Sequence, residues 1–376
     1  MRFALIAALA AMFFALDAGC KKKQAESDEI VIGEYGALTG PIANFGQSSN
    51  KGVRLAVKQA NAAGGVLGKR IRLVTVDNAS DATQAATAVE RLIAREGVVA
   101  IIGEVASKLS LAGGAIAQQN KVPMVSPAST NPEVTRNRDY VFRVCFTDDF
   151  QGPVAARFAL RQGWKRVAIL TDVANDYSKG LAATFRKTFI DGGGTVAADE
   201  SFRANDKDFN AQLTKIRGAN VDAVFLPGYY TEVGLVLTQA RQLGMRTPFF
   251  GGDGWDSEAT LALGSIADGC FFVNHYHPDD PSPAVQEFIK AFRAEYNETP
   301  DAMAILGYDA ARVLLHAIRK AGSTDRKAIR DALAATVDFP GASGTITIDE
   351  NRNARKPIKV LELRDGKTLL KESIEP

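Results

Sequence analysis

Histidine is scarce in this chain, with three among 376 residues. It is the side chain most often used as a general base, so acid–base catalysis lacks its usual agent. His275 and His277 alternate with Tyr276, and in an extended strand both would point the same way. Only Asp279 and Asp280 stand near them in sequence, too thin a set for a zinc site. No G-x-S-x-G turn is present, which removes that nucleophile arrangement. Ser48 to Lys51 fits S-x-x-K, but neither S-D-N nor K-T-G accompanies it. Residues 63–70 echo a phosphate loop but lack its first glycine and its closing Ser or Thr, and they follow a helix-like stretch. No catalytic mechanism is visible, which leaves an enzyme as an open alternative to the expected non-enzyme, and no metal and no cofactor are expected.

A basic face is also missing. Formal net charge is only +2, and no Lys/Arg run is longer than Lys21-Lys22-Lys23. A nucleic-acid binder needs a basic patch or stripe, so nucleic acid is not an expected partner. Cysteine occurs three times, at positions 20, 145 and 270. Cys145 and Cys270 sit inside apolar, strand-like runs and are expected as core residues, with a disulfide between them as the alternative that export would permit.

What is present begins with a leader. Residues 3–16 form an apolar run of fourteen after a positive start. A bilayer span needs about 20 such residues, whereas a secretory signal core is this short. The run ends in Leu16-Asp17-Ala18-Gly19-Cys20, which resembles a bacterial lipobox with an unusual Asp17. Residues 1–20 are therefore expected as a signal peptide with lipobox, with Cys20 the lipidated residue. Residues 21–28 read as a polar tether whose lysines favour an anionic lipid surface.

From residue 30 the chain alternates between strand and helix patterns. Strands are predicted at 30–32, 71–77, 98–103 and 122–125, with helices at 47–60, 82–96 and 109–119 between them. A strand at 140–146 follows. The alternation restarts with strands at 166–171, 195–202, 222–227 and 248–251, with helices between, and a further strand at 270–274. Helices at 284–296, 303–321 and 326–335 come next, then a strand at 344–348 and a hairpin turning at Asp365-Gly366. An apolar share of 46% with 23% charged residues suits a soluble globular chain. Two βα runs in series imply an α/β protein with two parallel-sheet domains. The terminal helices must pack on one of them, which would make the domains discontinuous and joined by several crossing segments. Such a hinge suits a clamp closing on a ligand.

Polar loops follow the strands, where α/β sheets bind ligands. One runs from Ser126 through Pro127, Ala128, Ser129, Thr130 and Asn131 to Pro132, with free N–H groups and with Ser129 and Thr130 as hydroxyl donors. Others hold Val105 and Ser107, Tyr177, Tyr229, and Asp253 with Trp255. Hydroxyls and N–H groups can hold a carboxylate, Asp253 can hold an ammonium, and aromatics with Val105 can wall off an apolar side chain. That inventory suits a small zwitterion.

At this point a family resemblance emerges from several stretches taken in order. They are Gly36-Ala37-Leu38-Thr39-Gly40-Pro41 with Phe45-Gly46, the run from Asn61 to Lys69, Asp77-Asn78-Ala79-Ser80-Asp81, and Pro127 to Pro132. Phe142-Arg143 and Gln151-Gly152-Pro153 complete the set. Together they resemble the periplasmic branched-chain amino-acid-binding proteins of ABC importers. The resemblance implies a type I periplasmic-binding fold: two Rossmann-like lobes with parallel sheets joined by a three-segment hinge. Lobe 1 would comprise residues 29–144 plus 275–340, and lobe 2 residues 145–274 plus 341–376. By position, Ser107 and Thr130 are similar to the family's hydroxyl ligands of the substrate's carboxylate and ammonium. The Ala128 carbonyl resembles an ammonium acceptor and the Thr130 N–H a carboxylate donor. Tyr177 and Tyr229 resemble aromatics closing from the second lobe. Asp253 falls where the family usually carries an acid, often Glu, and Phe45 where an aromatic lines the side-chain pocket.

Three departures stand out. No cysteine occupies the regions of Ser80 and Ala106, where well-known members carry a disulfide. Asp253 is one methylene shorter than Glu. Trp255 is expected to add bulk near the mouth, so that with Phe45 and Val105 it would choose the side chain admitted. The implied partners are an amino acid, an ABC permease with its ATPase subunits on other chains, and a membrane reached through the lipid anchor. The chain is expected to work outside the cytoplasm as a monomer. A binder of a related ligand (an aliphatic amide, an aromatic acid or another amino acid) or a ligand-sensing receptor module of the same fold stands as the alternative.

Overall fold

The computed structural model of the protein describes residues 28–375. The expected leader, Cys20 and all of the tether except Asp28 lie outside the described residues. In chain order the first unit runs β1 (Glu29–Gly36), α1 (Ala43–Ala62), β2 (Arg70–Asp77), α2 (Ala82–Ala94), β3 (Ala100–Ile102), α3 (Ser107–Gln119), β4 (Met124–Ser126) and β5 (Val141–Arg143). The second runs α4 (Asp148–Arg161), β6 (Arg166–Asp172), α5 (Asp176–Asp191), β7 (Thr195–Phe202), α6 (Asn210–Gly218), β8 (Ala223–Phe225), α7 (Tyr230–Gln242), β9 (Phe249–Gly251), α8 (Glu258–Leu261) and β10 (Cys270–Asn274). Then come α9 (Pro283–Tyr296), α10 (Ala302–Ala321), α11 (Arg326–Ala334), β11 (Phe339–Gly341), β12 (Gly344–Ile348), β13 (Ala354–Arg355), β14 (Ile358–Arg364) and β15 (Lys367–Ile374).

The first sheet is five parallel strands in the order β2-β1-β3-β4-β5. The second has seven, ordered β15-β14-β10-β9-β8-β6-β7. Its β6 to β10 run parallel, and β14 and β15 add antiparallel at the β10 edge. The short strands β3, β4, β8 and β9 are buried along their whole length. That is the reason they read in sequence as continuous apolar runs, since helices cover both faces of a parallel sheet. In each sheet the strand order reverses once, between β1 and β3 and between β6 and β8. Loops at the carboxyl ends of the strands flank a crevice at such a switch point.

The terminal helices pack on the first unit. α10 lies along α1, and the contact is so close that glycine is required. A Cβ on Gly52 would stand 1.9 Å from the Ala304 carbonyl oxygen, and one on Gly307 would stand 2.3 Å from that of Ser49. α10 is buried around most of its circumference, as expected for a helix apolar on nearly every side.

The chain crosses between the two units after β5, after β10, and between β13 and β14. The last crossing falls later than expected. The family resemblance places residues 341–376 in lobe 2, yet Ile346, Ile348 and Ala354 of the small sheet β11-β12-β13 pack with Leu314, Ile318, Ile329 and Leu333 of α10 and α11. Alternation along β12 turns its isoleucines onto that apolar stripe, so only β14 and β15 join the second sheet. Both Cys145 and Cys270 are buried free thiols. Among the described residues no helix is long and apolar enough to cross a membrane.

The α1–α10 contact yields a direct test. Gly52→Ala should destabilise the protein by about 1–3 kcal/mol through overpacking, despite alanine's better helix propensity. Urea denaturation reads this, and an unchanged midpoint would refute the packing account.

Candidate ligand-binding site

The loop after β4 is held from beneath by a buried guanidinium. Arg143 Nη1 donates to the Ser129 carbonyl at 2.5 Å, and Nη2 donates to the Asn131 carbonyl at 2.9 Å and to Thr135 Oγ1 at 3.1 Å. A trans peptide points its C=O and N–H in opposite directions. With the Ser129 carbonyl turned down to Arg143, the Thr130 N–H is turned away from it. The Ser129 side chain is equally committed, because its hydroxyl donates toward the Glu104 and Val105 carbonyls at 3.0 Å and lies 2.7 Å from Ser110 Oγ. The Glu104 carboxylate ties the neighbouring loops together, accepting from the N–H groups of Ala37 at 2.7 Å and Ala106 at 2.6 Å.

Above this scaffold lies a small, nearly filled cavity lined by Phe45, Val105, Ser107, Ala128, Thr130, Tyr177, Tyr229, Asp253, Gly254 and Met303. Ser107 opens α3 and accepts a hydrogen bond from the Asn131 N–H at 3.2 Å, which leaves its own proton to donate. Thr130 Oγ1 is buried and forms no well-aligned hydrogen bond within the protein.

The other wall comes from the second unit. Tyr177 sits in the first turn of α5, where the Asn175 side chain caps its N–H at 3.1 Å. Its ring stacks on Tyr229 with centroids 5.2 Å apart, and its hydroxyl accepts from the Gly254 N–H at 3.2 Å. Tyr229 precedes α7, and Phe45 of α1 meets the Tyr229 and Tyr230 rings edge-on, at 5.6 and 4.8 Å. The two units therefore touch across the cleft. Tyr230 also donates to the Pro41 carbonyl at 3.0 Å, and Asn131 Nδ2 donates to the Asp176 carbonyl at 2.8 Å.

Asp253 begins a single 3-10 turn after β9. Its N–H donates to Gln151 Oε1 at 2.8 Å, and its Oδ2 lies 3.0 Å from His275 Nε2. Its Oδ1 is buried with no protein partner. Gly254 follows because a Cβ there would stand 2.6 Å from the Gly228 carbonyl oxygen and 2.8 Å from the Tyr229 ring. Among the described residues no cation lines the cavity. A buried carboxylate with an open oxygen attracts a positively charged group, while the Ser107 hydroxyl and the N terminus of α3 favour a negative one.

Eight of the ten expected residues meet at this cavity: Phe45, Val105, Ser107, Ala128, Thr130, Tyr177, Tyr229 and Asp253. Two do not. Ser129 belongs to the scaffold, for the reason given above. Trp255 is wholly buried in the second unit's core, with its Nε1–H donating to the Leu226 carbonyl at 2.9 Å. The turn that presents Asp253 points the side chain two residues on back toward Phe272, so Trp255 adds no bulk at a mouth. Met303, from the first turn of α10, lines the cavity instead, and nothing in its local sequence announces that.

Asp148 was also missed. It opens α4, and its Oδ1 accepts from Gln151 Nε2 at 3.0 Å, so that Gln151 bridges it to Asp253. Burial, followed by the negative charge of Asp253, pushes the Asp148 carboxyl up to about 8, against the pull of Thr130 and Arg143. His277 is turned to the Thr368 carbonyl at 3.1 Å and not toward His275 Nε2's partner. Among the described residues no group of three His, Cys, Asp or Glu side chains is placed to hold a metal.

The comparisons now bear on this geometry. The model of a family described as periplasmic binding protein matches residues 29–368. The chain belongs to that family. It is 35% identical over 337 residues to the leucine-, isoleucine-, valine-, threonine- and alanine-binding protein of Pseudomonas aeruginosa, covering 89% of each chain. Its fold matches the crystal structure of the leucine-binding protein LivK from Thermotoga maritima with a TM-score of 0.89 at 43% identity, covering 92% of this chain and 99% of that one. LivJ from Streptococcus pneumoniae, solved with isoleucine, matches with a TM-score of 0.88 at 35% identity, covering 93% and 100%. This is a family of solute-binding proteins and not of enzymes. The type I periplasmic-binding fold and the extracytoplasmic setting follow with it.

The raised Asp148 gives a pH test. A carboxyl whose folded pKa lies above its ordinary value of 3.8 contributes stability that is complete below that value and is lost as pH rises through about 8. Glu34 and Asp301, each pushed up to about 7 by burial first, act in the same direction. The melting temperature of the ligand-free protein should fall between about pH 5 and 8, and Asp148→Asn should make that fall shallower. Differential scanning calorimetry across the range checks it, and an equally steep fall in the variant would refute it.

Proposed function

We propose that this cavity captures a branched-chain amino acid, leucine foremost, and that the closed protein delivers it to an ABC importer. The observation that carries the reading is a pair of open polar atoms in one small cavity. Asp253 Oδ1 comes from one unit, buried with no protein partner, and Thr130 Oγ1 from the other, buried with only the Asp148 carboxyl beside it. An ammonium answers the first, and a carboxylate answers the hydroxyl and N–H groups of Ser107 and Thr130. The Ala128 carbonyl adds an acceptor for the ammonium. Phe45, Val105, Tyr177, Tyr229 and Met303 leave an apolar remainder for a short aliphatic side chain. The absence of a lining cation favours a ligand that brings its own positive charge over a simple aromatic acid.

A ligand drives closure only through its preference for the closed state. Asp253, Tyr177 and Tyr229 stand on the second unit and Ser107 and Thr130 on the first. Bridging them with one molecule supplies that preference. The three crossings form the hinge, and the closed surface is what a permease and its ATPase subunits read. We further propose that Cys20 becomes the lipid-modified first residue, holding a monomeric protein at the membrane.

Asp253→Ala should weaken leucine binding by about 3 kcal/mol or more, because it leaves a buried ammonium unpaired. Titration calorimetry with leucine reads this, and an unchanged affinity sinks the assignment. For the anchor, Cys20→Ser should move the protein from the membrane fraction to the soluble one when it is expressed in a bacterium. Equal membrane association of both forms would count against lipidation.

A further inference from the structure

We propose that His275 is a positioning residue that holds the Asp253 carboxylate for the ligand's ammonium as a neutral hydrogen-bond donor. The proposal rests on the amino-acid reading of the cavity and extends it to a residue outside the lining. His275 Nε2 lies 3.0 Å from Asp253 Oδ2, while Oδ1 of the same carboxylate has no protein partner and the residue itself lines the cavity. Fixing one oxygen stops rotation of the group and aims the other. An aspartate has little reach of its own, so its direction has to be set from outside.

The imidazole is itself fixed. Its ring stacks on Phe146 with centroids 3.8 Å apart and planes 19° from parallel, and it is almost wholly buried. An ionised carboxylate only accepts hydrogen bonds, so Nε2 must carry the proton. Nδ1 is buried and meets no partner. A doubly protonated ring would place an unsatisfied N–H there, so the neutral tautomer is the one the surroundings fit. Burial acts in the same direction, holding the His275 pKa below its ordinary value against the pull of Asp253.

Neutrality is the point of the arrangement. A lysine or arginine in this place would orient Asp253 and also cancel its charge, so the incoming ammonium would find a neutral pair. A neutral donor orients the carboxylate and leaves its charge for the ligand. His275 also follows β10 directly, at the second crossing, and Phe146 lies on the first. The next residue, Tyr276, donates to the Pro300 carbonyl of the other unit. The ammonium's anchor is therefore referenced to the hinge.

The test compares leucine affinity by titration calorimetry in full-length protein carrying His275→Met, His275→Gln or Asp253→Asn, and in the Asp253→Asn/His275→Met double variant. Loss of a hydrogen bond to a charged group corresponds to about tenfold or more in affinity. His275→Met should show that loss with its melting temperature retained. His275→Gln places an amide N–H where Nε2 stood and should stay within about threefold of the parent. The double variant should bind no worse than Asp253→Asn alone, because the histidine acts only through the aspartate. If the methionine variant does not fold, His275→Asn, whose amide is too short to reach Oδ2, takes its place beside the glutamine. Unchanged affinity in the variants without the donor, or additive losses in the double variant, overturns the positioning role alone. Unchanged affinity in Asp253→Asn overturns the amino-acid reading as well.

Discussion

The site depends on a charge that faces no carboxylate. Among the described residues Arg143 is buried without an ion-pair partner in contact, and the Ser129 and Asn131 carbonyls accept its hydrogen bonds instead. Burying a guanidinium costs several kcal/mol unless its donors are met. Here the two Nη groups are met, chiefly by the backbone of the loop that carries Ala128 and Thr130, while Nε has no partner. The energy that keeps the arginine in place is therefore the same energy that fixes the loop. Because carbonyls are drawn down toward the guanidinium, the peptide that begins Thr130 faces the other way, and the cleft receives donors. Replacing Arg143 with an apolar residue of similar bulk would release both groups of atoms at once.

Much of this was legible in the sequence because α/β folds place function by rule. Strands buried on both faces read as plain apolar runs, and the loops at their carboxyl ends are where polar residues gather. Ser107, Thr130 and Asp253 each follow such a run, so their types and positions pointed to the cleft before any geometry was known. Direction was not legible. Ser129 and Thr130 carry the same chemistry one residue apart, and only the fold decides that the first faces Ser110 and the second the cavity. Trp255 shares a loop with Asp253 but lies on the opposite side of one tight turn. Long-range packing was also hidden. Met303 arrives from a helix more than 170 residues beyond Val105, and Asp148, Gln151 and His275 meet Asp253 only because three crossings bring them together. The isoleucines of β12 fit a strand, yet which unit they would cover depends on a partner helix whose exposed stripe no local pattern reveals.

Electrostatics gives the cleft its polarity. Two carboxyls, Asp148 and Asp253, share Gln151, and burial first, then the charge of Asp253, pushes the Asp148 carboxyl up to about 8. Of the two acids, Asp253 is the one that lines the cavity. Its counterpart is a set of neutral donors on the first unit. A molecule with both charges in a fixed relation can satisfy the two sides together, and one with a single charge satisfies only half.

Phe45 lines the cavity and also forms the edge contact with Tyr229 and Tyr230. A side chain that pushed it aside would therefore spoil the seam between the units in the same movement. Such a molecule could rest on one wall and still fail to shut the other over it. Rejection then needs no clash that expels the wrong guest. It is enough that the guest leaves the protein ajar, so that occupancy and readiness for hand-over become a single property.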